Sequence, residues 1–228
     1  LSPSWSQDGR YIIFTHIGDR YHSLGLWDRN AGRARLVKYP GNTLIGPTFT
    51  PENKIAVGMA TGGNPDIYQI DYDFRKEKVL VKNWAIDVSP DFDASGKKMV
   101  YVSSQLGTPQ IFLLDVPSGQ TKRVTFEGRY NTHPSISPDG TLVVFSRLTK
   151  GGHRIFMHDL TNGSERQLTF GPGNDEEPSF APDGYFLAFT SSRSGQNKVY
   201  ITSRHGDTPR MIPTGDGPAG FPAWGVME

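Results

Sequence analysis

Short apolar runs recur along the chain, and each is followed by a turn and then by a strand of mixed polarity. In the clearest unit, Leu142–Phe145 is wholly apolar, which is typical of a strand buried between two layers. The next segment, Arg154–Asp159, partly alternates between apolar and polar residues, as expected nearer an exposed rim. A short strand at Pro134–Ile136 precedes this pair, and a polar strand at Arg166–Thr169 follows it. The pattern therefore predicts four strands per unit and little or no helix.

The unit is repeated at an almost constant interval. Its first strand begins with a proline, and six such prolines lie 44, 43, 44, 44 and 44 residues apart: Pro3, Pro47, Pro90, Pro134, Pro178 and Pro222. A strand-rich repeat of this length is typical of a β-propeller. We expect one all-β domain over residues 1–228, with four-stranded antiparallel blades at about 1–44, 45–87, 88–131, 132–175 and 176–219.

Two details of the repeat refine this picture. The turn Ser137–Gly140 combines residues that favour a tight hairpin, and Asn53 stands where other units have this glycine. Asn tolerates the left-handed conformation, so the second unit is expected to keep the turn. The last first strand, Phe221–Trp224, is followed by no second strand. We expect five complete blades, with residues 220–228 adding the closing, innermost strand of a sixth whose other strands precede Leu1. The alternative is a closed five-bladed ring with a surplus strand, in which the first and fifth blades touch.

Composition excludes several classes of partner and chemistry. Lys and Arg number 24 against 23 Asp and Glu, so the net charge of +1 offers no long-range attraction for nucleic acid or an anionic membrane. No apolar stretch approaches the roughly 18 residues of a membrane span. The chain contains no Cys, which excludes disulfides and thiol chemistry.

The densest acidic run is Asn174–Glu177, in a connection expected to face the centre of the ring. Three consecutive carboxylates suit a hard cation or a basic side chain of a partner. The other interpretation is a solvated loop, which is favoured because no second carboxylate cluster stands at a fixed spacing.

The histidines occupy different positions in their repeats, so they are not expected to converge on a metal. They are His16, His22, His133, His153, His158 and His205. His133 precedes a first strand and is expected to reach the centre of the ring as a hydrogen-bonding contact. The sequence has no Gly-x-Ser-x-Gly motif. It therefore predicts no catalytic residue, no metal and no cofactor.

Aromatic residues recur at two positions of the repeat. One set is expected to pack between blades rather than to stack on bases or sugars: Tyr68, Phe112, Phe156 and Tyr200. Trp5 and Trp224 share a first-strand position and are expected to lie near the axis.

Several motifs together resemble the propeller domain of the TolB family, and the resemblance covers residues 1–228. They are the repeated Pro-x-aromatic-Ser-Pro-Asp-Gly phrase, Gly107-Thr-Pro-Gln-Ile-Phe112, Arg129-Tyr-Asn-Thr-His-Pro134 and the final Phe221-Pro-Ala-Trp224. The resemblance implies a six-bladed propeller behind an N-terminal α/β domain, in a periplasmic, non-enzymatic protein of the Tol-Pal system of the cell envelope. The implied partner is the peptidoglycan-associated lipoprotein Pal, bound on the propeller face. TolA is expected to bind only through an N-terminal segment absent from this chain.

The implied Pal surface consists of the connections that lead into the first strands, including Gly217–Gly220. Its candidate residues are Asn42, Thr43, Gly46, Asp87, Val88, Tyr130, Asn131, Thr132, His133, Asn174, Asp175, Glu176 and Glu177. A family histidine in the first connection is replaced here by the Asn42–Thr43 region, and Val88 stands where the family can have Thr.

Two enzyme-related alternatives share this type of blade. A carbohydrate-active propeller resembling oligogalacturonate lyase would need several histidines and a carboxylate converging on a metal. A propeller that gates a peptidase would need a hydrolase domain in addition to these repeats.

Overall fold

Twenty strands and no helix make up the part of the chain described by the computed structural model, residues 1–18, 22–38, 43–60 and 62–225. The first blade contains β1 (Ser4–Trp5), β2 (Tyr11–Ile17), β3 (His22–Asp28) and β4 (Arg33–Lys38). The second contains β5 (Leu44–Phe49), β6 (Ile55–Met59), β7 (Asp66–Ile70) and β8 (Lys76–Val81). The third contains β9 (Asp87–Phe92), β10 (Lys98–Ser103), β11 (Gln110–Asp115) and β12 (Gln120–Arg123). The fourth contains β13 (Asn131–Ile136), β14 (Leu142–Thr149), β15 (Gly152–Asp159) and β16 (Glu165–Gln167). The fifth contains β17 (Asp175–Phe180), β18 (Phe186–Ser191), β19 (Lys198–Ser203) and β20 (Arg210–Met211).

Each blade is a four-stranded antiparallel sheet whose strands pair in sequence order. The first strands β1, β5, β9, β13 and β17 contact one another in turn, so the blades are arranged around a common axis. The prediction of an all-β propeller with five complete blades is therefore confirmed.

The hydrophobic core lies between blades, which explains why the second strands are apolar on both faces. Val57, Val100, Val144 and Leu187 are all fully buried. Four buried clusters follow the ring, one at each junction between successive blades. The second, third and fourth blades thus each bury one face against the preceding blade and the other against the next.

The recurring aromatic residues pack as the sequence indicates. Phe156 stacks on Phe145 with ring centroids 6.2 Å apart, and Tyr200 stacks on Phe189 at 6.0 Å. All of these rings lie at junctions between blades. Asn53 has a φ of 57°, so it keeps the turn as predicted, and its side chain accepts a hydrogen bond from the Gln7 N–H.

The segment Phe221–Gly225 lies at the axis between the fifth and first blades. The Phe221 N–H donates to a Glu177 carboxylate oxygen at 2.8 Å, and the Trp224 indole donates to the Ser179 carbonyl at 3.1 Å. On the other side, a Cβ on Gly225 would meet the Trp5 ring at 2.9 Å. The segment forms no strand, but it lies where the innermost strand of a sixth blade is expected. That it belongs to such a blade stays a prediction.

Candidate functional site

A central channel of about 470 Å³ runs along the axis of the ring. Its wall is formed by the first strands and by Phe221–Trp224, and both Trp5 and Trp224 line it as predicted. At one mouth of the channel stand the six residues that immediately precede the repeated prolines. We call these residues the mouth ring: Ser2, Gly46, Ser89, His133, Glu177 and Phe221.

All six residues of the mouth ring have a left-handed backbone, with φ between 48° and 60°. The pairing register of the first and second strands shifts at this point in the second to fifth blades, which marks a β-bulge. A left-handed residue other than glycine costs about 1–2 kcal/mol. Such conformations concentrate at functional sites, so the mouth ring is the first candidate for one.

Gly46 is the one glycine of the ring, and its neighbour explains why. A Cβ at this position would lie 2.6 Å from the Ser89 Cα, which is backbone and cannot turn aside. Gly32 offers a matched control, because its φ of 62° is similar and a Cβ added there would meet nothing within 4 Å.

We therefore expect Gly46→Ala to destabilise the fold by about 2–3 kcal/mol, since steric overlap adds to backbone strain. Gly32→Ala should cost only the strain, about 1 kcal/mol. Urea denaturation of both variants measures the difference. Equal losses would show that the Gly46–Ser89 approach has no energetic weight.

Side chains on the channel wall accept hydrogen bonds from backbone N–H groups of the next blade. The Phe49 N–H donates to the Ser4 hydroxyl at 3.1 Å, and the Phe180 N–H donates to Ser135 at 3.2 Å. At the corresponding place in the third blade, a carboxylate takes the role of the hydroxyl: Asp91 accepts the Ile136 N–H at 2.9 Å. Each of these bonds joins residues 45 positions apart.

Asp91 is the titratable group in this series of bonds. Burial raises the pKa of its carboxyl to about 6, although hydrogen bonds from Ile136 and Ser135 favour the charged form. Because the folded pKa exceeds the unfolded value of 3.8, the contribution of Asp91 to stability is greatest below about pH 4 and is lost as the pH rises to about 6.

Asp91→Asn should consequently raise the free energy of unfolding by about 1–3 kcal/mol at pH 8 and change it little at pH 4. Asp139→Asn is a control that should change the free energy of unfolding at pH 8 in the opposite direction. Although burial opposes ionisation of Asp139, hydrogen bonds from Ser137 and Thr141 prevail and lower its pKa. Urea denaturation at the two pH values measures both effects, and equal gains for Asp91→Asn at both would contradict the assignment.

The end of the ring that includes the mouth ring also displays many apolar side chains. We call this end of the ring the loop face. Because the strands of a blade are antiparallel, the loop face contains the start of each first strand, the turn between the second and third strands, and the end of each outer strand. Trp84 is 71% exposed, Phe126 69% and Phe170 65%. Other exposed apolar residues on the loop face are Ile17, Ile86, Leu106, Tyr130 and Leu148. These exposed apolar side chains make the loop face a candidate interaction surface.

Sequence reasoning missed the two phenylalanines of this set. Phe126 and Phe170 each follow a buried threonine, Thr125 or Thr169, at the end of an outer strand. Their 44-residue spacing was available in the sequence. However, a repeated aromatic residue is interpreted as a packing residue unless the connection that contains it is known to lie on the surface.

A polar and aromatic cluster joins the fourth and fifth blades on the loop face. The Tyr130 ring meets the His153 ring edge-on at 6.0 Å, and His153 Nδ1 lies 3.0 Å from a Glu176 oxygen. His133 packs edge-on against Phe221 at 6.3 Å. Burial lowers the pKa of His133, as does nearby His153, while Glu176 opposes the shift. His133 is therefore neutral at neutral pH, and its Nδ1 has no hydrogen-bond partner among the described residues.

The acidic run Asn174–Glu177 is neither a chelating group nor a solvated loop. Asp175 is fully buried and accepts hydrogen bonds from Ser191 at 2.6 Å and Arg193 at 2.8 Å. Glu176 faces His153, and Glu177 accepts the Thr190 hydroxyl at 2.6 Å. The favoured interpretation of a solvated loop was wrong, because the three carboxylates point to three separate internal partners.

The candidate docking residues divide by burial. The side chains of Asp87, Val88, Asn131 and Asp175 are buried, so they shape the loops from within. Tyr130 is well exposed, while Thr132, His133, Glu176 and Glu177 are partly exposed; Thr43, Gly46 and Asn174 lie in the same connections. Asn42 lies outside the described residues. Their role in docking stays a prediction.

Within the described ranges, no three His, Cys, Asp or Glu side chains are grouped to hold a metal ion, and no helix could cross a bilayer.

A family profile described as "TolB beta propeller domain" matches residues 1–228. The chain belongs to the TolB β-propeller family. The "Tol-Pal system protein TolB" of Nitratidesulfovibrio vulgaris is 53% identical over 107 residues, which cover 47% of this chain and 24% of that protein.

Solved structures agree with this assignment. TolB from Acinetobacter baumannii superposes with a TM-score of 0.85 and 27% identity, over 99% of this chain and 57% of that one. The chain thus spans little more than half of that TolB structure. Oligogalacturonate lyase in complex with manganese, at a TM-score of 0.64 and 16% identity over 91% of this chain and 63% of that one, shares the fold alone.

Proposed function

We propose that this TolB-family propeller is a non-enzymatic, periplasmic interaction module of the Tol-Pal system, whose loop face docks a Pal-type peptidoglycan-binding domain. Family membership supports a Tol-Pal role, since a relative with 53% identity over 107 residues is a Tol-Pal system protein. The observation that favours docking is the position of the exposed apolar residues. They lie on the same face of the propeller as the mouth ring, where the backbone is strained and the connections differ from one blade to the next.

The loop face has the composition expected of a docking site. Aromatic residues are enriched at protein interfaces because they contribute large contact areas with few rotatable bonds. Here they are anchored: the Tyr130 carbonyl accepts the Leu148 N–H at 3.0 Å, and Arg123 lies 5.0 Å from the centre of the Phe126 ring. Little conformational entropy is then lost when a partner binds.

Calorimetric titration of the purified protein with a Pal-type domain tests the proposal. We expect saturable 1:1 binding that is abolished when Trp84, Phe126 and Phe170 are together replaced by serine. Their exposure makes these replacements compatible with folding. A well-folded protein that shows no heat of binding and no complex in gel filtration would overturn the proposal.

A further inference from the structure

A residue at or near the start of the third strand has a recurring structural role. In the third, fourth and fifth blades the residue at this position is Gln110, Arg154 or Lys198, each 44 residues after its predecessor. Each side chain donates to carbonyl oxygens of the loop that follows the outer strand. Arg154 bonds the Gly171 and Gly173 carbonyls, and Lys198 bonds those of Gly215 and Gly217. Gln110 bonds the Gly128 carbonyl at 3.2 Å. Two of the three blades thus place a positive charge at this point.

The second blade places a negative charge there instead. The equivalent residue is Asp66, which is 7% exposed and has no side-chain N–H group to donate. Its carboxylate accepts the Asn83 N–H at 3.3 Å. In the fourth and fifth blades, the carbonyls that accept these bonds belong to residues 17 and 19 positions after Arg154 or Lys198. In the second blade, the residues 17 and 19 positions after Asp66 are Asn83 and Ala85.

A second buried carboxylate faces the first. Asn131 donates to Gln110 at 2.8 Å across the junction between the third and fourth blades. One repeat earlier, the residues at these two positions are Asp87 and Asp66. An attractive pair of amides has therefore been replaced by two carboxylates, which repel each other when both are ionised.

Asp87 also lacks compensation. Its side chain is fully buried, and neither carboxylate oxygen has a well-aligned hydrogen-bond partner among the described residues. The groups that interact with this carboxylate are the Asp66 carboxylate, the Ser103 hydroxyl and the Asn83 side chain. Asp175, at the equivalent position two repeats later, is bonded by Arg193. In the described part of the chain, no Lys, Arg or His forms an ion pair with Asp66 or Asp87. A buried carboxylate without a partner is unfavourable once it is ionised.

We propose that Asp66 and Asp87 hold a hard divalent cation, best suited to Ca²⁺, in the position occupied by the Arg154 and Lys198 charges in later blades. The donor set consists of oxygens: the two carboxylates and the hydroxyl of Ser103, which lies opposite Asp87 in the pairing of β9 with β10. Ca²⁺ accepts 6–8 such ligands in flexible geometry, including water. The site lies between the second and third blades, away from the channel axis, and it does not depend on the proposed docking function. A bound cation would fix the loop before β9, which leads to Ser89 of the mouth ring.

Thermal denaturation with Ca²⁺ or with a chelator tests the site. Saturating Ca²⁺ should raise the Tm of the wild-type protein by about 5 °C or more. Terbium, a luminescent substitute for Ca²⁺, should be sensitised by Trp84, which adjoins Asn83. Both signals should disappear in Asp66→Gln/Asp87→Asn, which recreates the Gln110–Asn131 pair of the next blade. Asp91→Asn, which removes a carboxyl on the channel wall, should leave both signals intact.

A third variant keeps the test decisive if the double variant folds poorly. Asp66→Lys supplies the ammonium group found at Lys198, so its Tm in chelator should reach or exceed that of the wild type and should not respond to Ca²⁺. A wild-type protein with neither a Ca²⁺-dependent Tm nor terbium luminescence would overturn the proposal. An undiminished Ca²⁺ response in a folded variant at position 66 would overturn it as well.

Discussion

Replacement of Tyr130 by alanine is expected to weaken binding of a Pal-type domain by at least about tenfold, or about 1.4 kcal/mol. Tyr130 is 41% exposed on the loop face, directly before the start of β13. Its ring is held edge-on by His153, which faces Glu176, so the side chain is ordered before a partner arrives. Pre-ordered aromatic residues beside a pocket are the usual binding hot spots.

Tyr185 provides a closely matched control on the opposite end of the ring. It is 39% exposed and meets His205 edge-on at 5.6 Å, much as Tyr130 meets His153. It lies beside the turn at Gly184, away from the loop face. Tyr185→Ala should therefore leave the Kd unchanged. Titration calorimetry with both variants would refute a loop-face interface if Tyr185→Ala weakened binding as much as Tyr130→Ala.

Replacement of Arg147 by methionine should have the largest effect on stability, a loss of about 3 kcal/mol at pH 7. The Arg147 side chain is buried, pairs with Glu165 at 2.5 Å, and donates to the Asn131 amide oxygen at 2.8 Å. Its guanidinium also lies 4.4 Å from the centre of the Phe156 ring. Methionine preserves much of the packing but leaves the Glu165 and Asn131 acceptors without this donor.

The pH dependence identifies the ion pair as the source of this loss. Burial opposes ionisation of Glu165, but His158 and Arg147 outweigh it and lower the pKa of its carboxyl. A depressed folded pKa gives stability above the ordinary Glu pKa that is lost as the pH falls. The difference between wild type and Arg147→Met should thus shrink at pH values below about 4.

Urea denaturation of Arg147→Met should be compared with that of Arg10→Met. Arg10 also pairs with an aspartate, Asp28 at 3.0 Å, but its side chain is 46% exposed, so solvent screens the pair. We expect little change for Arg10→Met. Similar losses for the two variants would contradict the importance of burial at Arg147.

The repetitive part of the structure was predictable because every blade contains the same kinds of strands in the same order. A wholly apolar strand such as Leu142–Phe145 has to be covered on both faces, and the 44-residue period supplies a neighbour on each side. The turn at Asn53 was likewise predictable from local chemistry alone.

The site was less predictable because it depends on departures from the repeat that only the folded ring brings together. A residue before proline is ordinarily extended, yet His133 and Glu177 are left-handed because a β-bulge interrupts the strand there. The acidic run suggested solvent or a cation. Asp175 is instead buried beside Arg193, a contact set by the pairing of β17 with β18.

The forward hydrogen bonds along the channel have a consequence for how the ring is made. Each acceptor, such as the Ser4 hydroxyl, belongs to the earlier blade, and the N–H that reaches it lies 45 residues later. The junctions between the first and second, the third and fourth, and the fourth and fifth blades therefore each need only two successive repeats. A chain emerging from the ribosome can add one finished blade at a time, each against a surface already in place.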